Sequence, residues 1–255
     1  MLRRLFGGSY LFVLLLRARA DEWNLPCGGE SDGARLVVNS HASYGTAVSR
    51  LMNSLVSVGF RDFCRVVVVV GGSEADAAPR RVGNLTYAHL SVNAHDYSGL
   101  DALHVYRDDP LIRAPYYFYV HDTCIAHPRF VSFFKKELPS AFADGDGAPL
   151  LLLPPGLSSN IVALSARYVA VYGDHFHKNM TKKEALDMEL GGALRALAGE
   201  NNTRFTASER KFDGKYDVYH TGHEREMFYY PDFGVYKFIL FGHHGDFQGM
   251  VTPNQ

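Results

Sequence analysis

The chain has 255 residues, with 26 Lys and Arg against 27 Asp and Glu, for a net charge of −1. That length suits one ordinary domain with a full hydrophobic core. An apolar content of 47% beside 21% charged residues excludes a disordered chain, and the absent basic surplus argues against a nucleic-acid partner. Three cysteines are too few for a scaffold built on disulfides. A medium-sized enzyme or binding domain is left.

Residues 1–20 read as a targeting segment, with Arg3 and Arg4 ahead of the apolar run Leu11 to Leu16 and the small residues Ala18 and Ala20 at a cleavage site. The run is short against the roughly 20 residues of a membrane span, so a cleaved signal peptide is favoured over a short signal anchor. Membrane association is expected only if that segment is retained. Asn-x-Thr triplets at Asn84, Asn179 and Asn201 fit entry into the secretory pathway, in the lumen or beyond it, as a glycoprotein. In an oxidising lumen Cys27, Cys64 and Cys124 form one disulfide and leave one thiol, the pairing being open.

The body of the chain alternates strand and helix. Leu36 to Ser40 reads as a strand, Ser43 to Gly59 as an amphipathic helix closed by its glycine, and Val66 to Val70 as a strand buried on both faces before Gly71-Gly72. Together they make a βαβ unit. A strand over 85–92, a helix over 98–106 and a strand over 116–120 follow. A helix over 128–138, short strands over 150–153 and 160–165, and helices over 167–172 and 182–197 complete the series. The last sixty residues are aromatic, with Tyr229-Tyr230 and the run Phe233 to Phe241 the densest part. No repeat and no second domain is evident, and the alternation predicts a single α/β domain.

In open α/β sheets the ligand lies beyond the carboxyl ends of the strands. Three predicted strand ends are polar there, at Asn39-Ser40-His41, Gly71-Gly72-Ser73 and His121-Asp122-Thr123. No dinucleotide or P-loop glycine motif is present. A carboxylate closing a hydrophobic strand needs a cation or hydrogen-bond donors to meet it. Asp122 therefore either meets a divalent metal through oxygen ligands or caps the turn that follows.

The layout resembles the GT-A type of glycosyltransferase, the nucleotide-sugar-dependent class, over about residues 35–240. The resemblance implies a Rossmann-like domain with a mostly parallel mixed central sheet and flanking helices, spanning 35–250. Its nucleotide-binding half would be 35–125 and its acceptor half 148–250. Tyr116 to Thr123 resembles the strand ending in that family's metal-binding Asp-x-Asp, although this sequence reads His121-Asp122-Thr123, with one acid. By that likeness Asn39, Ser40, Gly71, Gly72, His121, Asp122 and Lys237 would bind the donor, Arg225 joining Lys237 against its diphosphate. Ser159 and Asn160 would bind the acceptor. Asp122 and His220 would hold Mn²⁺ or Mg²⁺. Asp187, or Glu189 after it, would deprotonate the acceptor hydroxyl in an inverting transfer. The implied partners are a nucleotide-sugar donor and a glycan or other hydroxyl acceptor.

Two other readings stand beside this one. His41, His121, Asp122, His220, His223, His243, His244 and Asp246 could supply the ligands of a metal-dependent hydrolase, although no tight ligand spacing is present. The incomplete acidic motif also fits a non-catalytic glycan-binding relative.

Overall fold

The computed structural model describes residues 33–92, 94–143, 150–155, 161–176, 190–216 and 225–240. The targeting segment, the loop at 144–147, the first part of the helix read over 182–197, and Ser159, Asn160, Asp187, Glu189, His220, His223, His243, His244 and Asp246 lie outside those residues. Among the described residues no helix is long and apolar enough to cross a membrane.

The βαβ unit forms as read. Strand β1 (Arg35–His41) is followed by helix α1 (Gly45–Ser57) and strand β2 (Val66–Gly71), and β1 and β2 pair in parallel from Leu36↔Val66 to His41↔Gly71. Helix α1 buries Val48, Leu51, Met52 and Leu55, which lie on one face at helical spacing. Gly59 just past its end has φ +84, a left-handed value suited to glycine.

Beyond β2 the chain adds strands β3 (Ala77–Val82) and β4 (Leu85–His89), helix α2 (Ser98–Val105), and strands β5 (Tyr116–His121) and β6 (Cys124–Ala126). Helix α3 (Arg129–Ser132) runs through a π turn (Phe133–Glu137) into α4 (Leu138–Ala141). Strands β7 (Leu151–Leu153) and β8 (Val162–Ser165), helices α5 (Ala166–Tyr172) and α6 (Leu190–Ala198), and strands β9 (Thr203–Phe205), β10 (Arg210–Tyr216), β11 (Arg225–Tyr230) and β12 (Val235–Leu240) complete the described chain.

Eight strands make one sheet in the order β3-β4-β2-β1-β5-β8-β7-β9. The pairs β4–β2, β2–β1, β1–β5 and β7–β9 are parallel, and the other three are antiparallel. The result is the expected mostly parallel mixed sheet with flanking helices. Its parallel heart begins at β1, grows outward through β2 and β4, then returns to the other side of β1 with β5. That is the strand order of a Rossmann half, and its reversal between β1 and β5 is a topological switch point.

Period-two alternation explains why these strands are apolar throughout. Leu36, Val38, Val66, Val68, Val70, Phe118 and Val120 enter one core, which also holds Phe130, Phe134 and Val235. Val37, Val67, Val69, Tyr117 and Tyr119 enter the other, against Leu103, Tyr168 and Leu194 from the helices. A sheet covered on both faces has no place for polar alternation until its strands emerge.

Three features depart from the sequence reading. The strand read over 85–92 ends at His89 and is paired by β3, an exposed edge strand whose Ala77, Arg80 and Arg81 carry little apolar signal. The helix read over 128–138 extends to Ala141 through its π turn. The aromatic C-terminal part, for which the sequence showed no element, forms β10, β11 and β12 of a second, antiparallel sheet completed by β6 in the order β10-β11-β12-β6. The three-residue β6 is too short to leave a period in the sequence, and its partner strand lies over a hundred residues away.

Candidate functional site

The switch point is built from the polar ends of β1 and β5. Asn39 pairs with His121 across the two strands, and the Asp122 backbone N–H donates to the Asn39 carbonyl at 3.1 Å. The same alternation that divides the core then divides the polar groups. Asn39 and His121 continue the face of Val37 and Tyr119, while Ser40 and Asp122 continue the face of Val38 and Val120.

On the first face, Asn39 is 4% exposed and its amide is engaged within the protein. Its Oδ1 accepts from the Gly99 N–H at 2.9 Å and its Nδ2 donates to the His95 carbonyl at 3.0 Å. It thereby ties β1 to the loop ahead of α2, where His95 holds a left-handed φ of 49, rare outside glycine. His121 Nε2 lies 3.4 Å from Asn39 Nδ2 and 3.5 Å from Asp96 Oδ1. These contacts call for opposite tautomers, since a bare nitrogen accepts from Asn39 and a protonated one donates to Asp96. Burial pulls the His121 imidazole down to about 4, with Asp96 opposing and Lys237 adding, so the ring is neutral at pH 7. A neutral ring makes the Asp96 approach a weak polar contact rather than an ion pair.

On the second face, Ser40 Oγ donates to Asp122 Oδ2 at 2.6 Å. Asp122 is 4% exposed, and burial pushes its carboxyl up to about 7. The Ser40 hydrogen bond and the Lys237 charge hold it down against that rise, and Asp96 adds to it. Lys237 comes from β12, where it pairs with Cys124 of β6 and points to the same side as buried Val235 and Cys124. The neighbouring Phe238 N–H donates to the Thr123 carbonyl at 3.1 Å, which seats β12 beside the end of β5. Arg225 opens β11 in the same small sheet.

The third strand end supplies the glycines. Gly72 has φ +67, and a Cβ there would stand 2.5 Å from His41 Nε2; a Cβ on Gly71 would meet Ser98 Oγ at 2.6 Å. Their role in the structure is to let His41 and the start of α2 close on the end of β2. Burial lowers the basicity of His41, and His95 lowers it further.

The structure thus brings Asn39, Ser40, Gly71, Gly72, His121, Asp122 and Lys237 to one end of the sheet. Asp96 and His95 join them and were missed in the sequence. The rule of strand ends would have pointed to them had the strand over 85–92 been ended at His89, because they lie in the segment that joins that strand to α2. Among the described residues, no group of three or more His, Cys, Asp or Glu is placed to hold a metal ion. Mg²⁺ and Mn²⁺ want several oxygen donors, whereas here the Asp122 carboxyl is hydrogen-bonded to Ser40 and shares its surroundings with Lys237, whose basicity burial lowers. The described residues by themselves do not make a divalent-cation site, and His220 lies outside them.

Fold and site together define a mixed α/β protein with a charged switch point. No protein-family model matches the chain, and no curated protein matches it. Among solved structures, the glycosyltransferase GlyE of Streptococcus pneumoniae TIGR4 is similar at 12% sequence identity and a TM-score of 0.39, over 68% of this chain and 45% of that one. The chain therefore matches less than half the length of that structure.

Proposed function

We propose that the chain is a glycosyltransferase that moves a sugar from a nucleotide-sugar donor to a hydroxyl acceptor. The observation that carries this reading is the Ser40–Asp122 bond spanning the switch point, with Lys237 beside it. Ligands of open α/β sheets bind at that place, and a buried lysine near a strand-end acid suits a charged sugar donor. The family resemblance of Tyr116 to Thr123 adds the choice of chemistry.

In this reading Ser40, Gly71, Gly72, His121, Asp122 and Lys237 contact the donor, while Asn39 holds the His95–Asp96 loop in place. Ser159 and Asn160 receive the acceptor. Its hydroxyl oxygen attacks the anomeric carbon and passes its proton to the Asp187 carboxylate, or to Glu189. The bond from that carbon to the diphosphate oxygen breaks, its electron pair leaving on the diphosphate, and the anomeric centre inverts. A bound Mg²⁺ or Mn²⁺ on Asp122 and His220 would supply additional charge to the leaving group. The disulfide-bonded state of Cys64 and the exposed position of Asn201 support a lumenal setting.

The test is a panel of nucleotide-sugars assayed for nucleoside diphosphate release, with and without Mn²⁺, beside Asp122→Ala. Release with one donor, lost in the variant, is the expected result. Silence across all donors from folded protein overturns it and favours a glycan-binding relative without turnover, for which the single acid of His121-Asp122-Thr123 is the supporting observation.

A further inference from the structure

The small antiparallel sheet has two unlike faces. Tyr230, Val235 and Cys124 lie on one and enter the core that also holds Val38 and Phe118. Lys237, opposite Cys124, is on that side too. The register puts Phe212 of β10, Tyr229 of β11 and Tyr236 of β12 on the other face. His127 joins them just past β6, where its backbone N–H donates to the Gly234 carbonyl at 2.9 Å and continues the pairing. Phe212 is 37% exposed, and Tyr229, Tyr236 and His127 are partly exposed.

These four rings form a continuous row. Their centroids are 6.0 Å apart from Phe212 to Tyr236, 4.9 Å from Tyr236 to Tyr229 and 4.8 Å from Tyr229 to His127. Cross-strand aromatic pairs stabilise any sheet, so the rings alone do not define a ligand. The polar groups among them narrow the choice. The Arg129 backbone N–H donates to His127 Nδ1 at 3.2 Å, so that nitrogen is bare and Nε2 carries the ring hydrogen. The Tyr229 hydroxyl, 3.2 Å from the same Nδ1, spends its hydrogen there as well. The Tyr229 oxygen lone pairs and the His127 Nε2–H then offer an acceptor and a donor beside the ring faces.

This face also carries positive charge. Arg210 is exposed and stands opposite Tyr229 on the same side of the sheet. Burial raises the Tyr229 hydroxyl above its usual range, Tyr236 adds to this, Arg129 and Arg210 pull it back, and Asp232 opposes them. Asp232 already accepts from the Ala207 N–H at 2.7 Å, and Arg129 is paired with Glu137 at 3.2 Å. Arg210 is in no such pair among the described residues.

A pyranose presents C–H groups on its ring faces and hydroxyls around its rim, which suits flat aromatic surfaces with polar tips. A carboxylate on that sugar suits the guanidinium fork. Single-stranded nucleic acid also stacks on aromatic rings, but it wants a track of cations, and this chain has a net charge of −1. We infer that this aromatic face binds an acidic glycan, its uronate-type sugars stacking on Phe212, Tyr236 and Tyr229 and a carboxylate meeting Arg210. The face is turned away from the side that carries Lys237, so the inference does not rest on the transferase reading.

The experiment is calorimetric titration of the full chain with tetragalacturonate, maltotetraose and oligothymidylate, at low and at high salt. Wild type, Phe212→Ala, Phe212→Tyr and Arg210→Gln are compared, with thermal unfolding of each. The expected result is binding of tetragalacturonate about 5-fold or more tighter than maltotetraose at low salt, an advantage that high salt removes. Phe212→Ala weakens it about 10-fold, Phe212→Tyr retains it, and Arg210→Gln binds the two tetrasaccharides alike. Phe212 and Arg210 are exposed, so the unfolding temperatures stay near that of the wild type. Phe212→Ala leaves nucleoside diphosphate release unchanged, so failure here and failure of the transferase reading are distinguishable. Equal binding of both tetrasaccharides by the wild type overturns the inference, as does tetragalacturonate binding that ignores Phe212→Ala. Tighter binding of oligothymidylate overturns it in favour of a nucleic acid, and no binding of any probe overturns it outright.

Discussion

Ser40 and Asp122 come from strands more than eighty positions apart in the chain, and their side chains meet at 2.6 Å on one face of the switch point. The bond does two things at once. It gives a buried carboxyl a donor, and it ties the end of β1 to the turn that follows β5. Removing the hydroxyl therefore tests the site and the fold together.

Ser40→Ala is expected to destabilise the protein by about 1–3 kcal/mol at pH 8, where Asp122 is mostly ionised and loses a charged hydrogen bond. At pH 5, where the carboxyl carries its proton, the loss is smaller. Urea unfolding at the two pH values checks this, and an equal loss at both would contradict a bond to the ionised form.

The raised Asp122 carboxyl has its own pH signature. Its folded value is about 7 against 3.8 when unfolded, so between those values the folded state holds the proton more tightly. The stabilisation it contributes is full below about pH 4 and is lost as the pH rises to about 7. His121 slopes the other way, since its folded value is lowered to about 4 and its contribution grows between there and 6.5. Lys237 and Asp96 also act on this carboxyl, the first lowering it and the second raising it. The readout is accordingly the difference between wild type and Asp122→Asn. That difference should fall, in the wild type's disfavour, from pH 4 to pH 7 and stay level above it.

Gly72→Ala should cost about 1–2 kcal/mol, because alanine resists the left-handed backbone that position needs. The added methyl also pushes away the His41 ring. Thermal unfolding measures the first effect, and a shifted imidazole signal in the NMR spectrum of His41 measures the second. An unshifted ring would mean that the glycine serves the turn alone.

The cysteines give a simple chemical test. Cys124 is fully buried, and burial pushes its thiol up to about 11, opposed by Lys237. Cys64 is disulfide-bonded. A thiol reagent should leave the native protein unlabelled, label one cysteine in denaturant without reductant, and label three after reduction. Mass spectrometry of the digested protein should place the single label on Cys124.

The central sheet was legible because its strands obey one rule. Five successive valines between an amphipathic helix and a glycine pair admit a parallel, doubly covered strand and little else. The strand ends were legible for the same reason, since Asn39-Ser40 and His121-Asp122 stand out wherever an apolar run stops. What the sequence hid depends on pairing at long range. Cys124-Ile125-Ala126 becomes a strand only because β12 lies beside it, and that same pairing is what buries Lys237. The different duties of Asn39 and Ser40 are equally invisible in one dimension. Adjacent residues on a strand face opposite ways, and only the packed neighbours reveal that one locks a loop while the other holds the acid.

The edge strand β3 bears on how the molecule behaves in crowded solution. A sheet margin with free backbone groups invites another chain to add a strand, and unchecked addition ends in aggregates. Here the register slips between Ala77 and Arg80, with Pro79 lying in that irregular stretch, and Arg80 and Arg81 follow it. Proline removes an N–H that a newcomer would need, the irregular pairing twists the margin, and two cationic side chains repel a second copy of themselves. The price of this margin is a strand with almost no apolar content, and its return is a protein that keeps its sheet to itself.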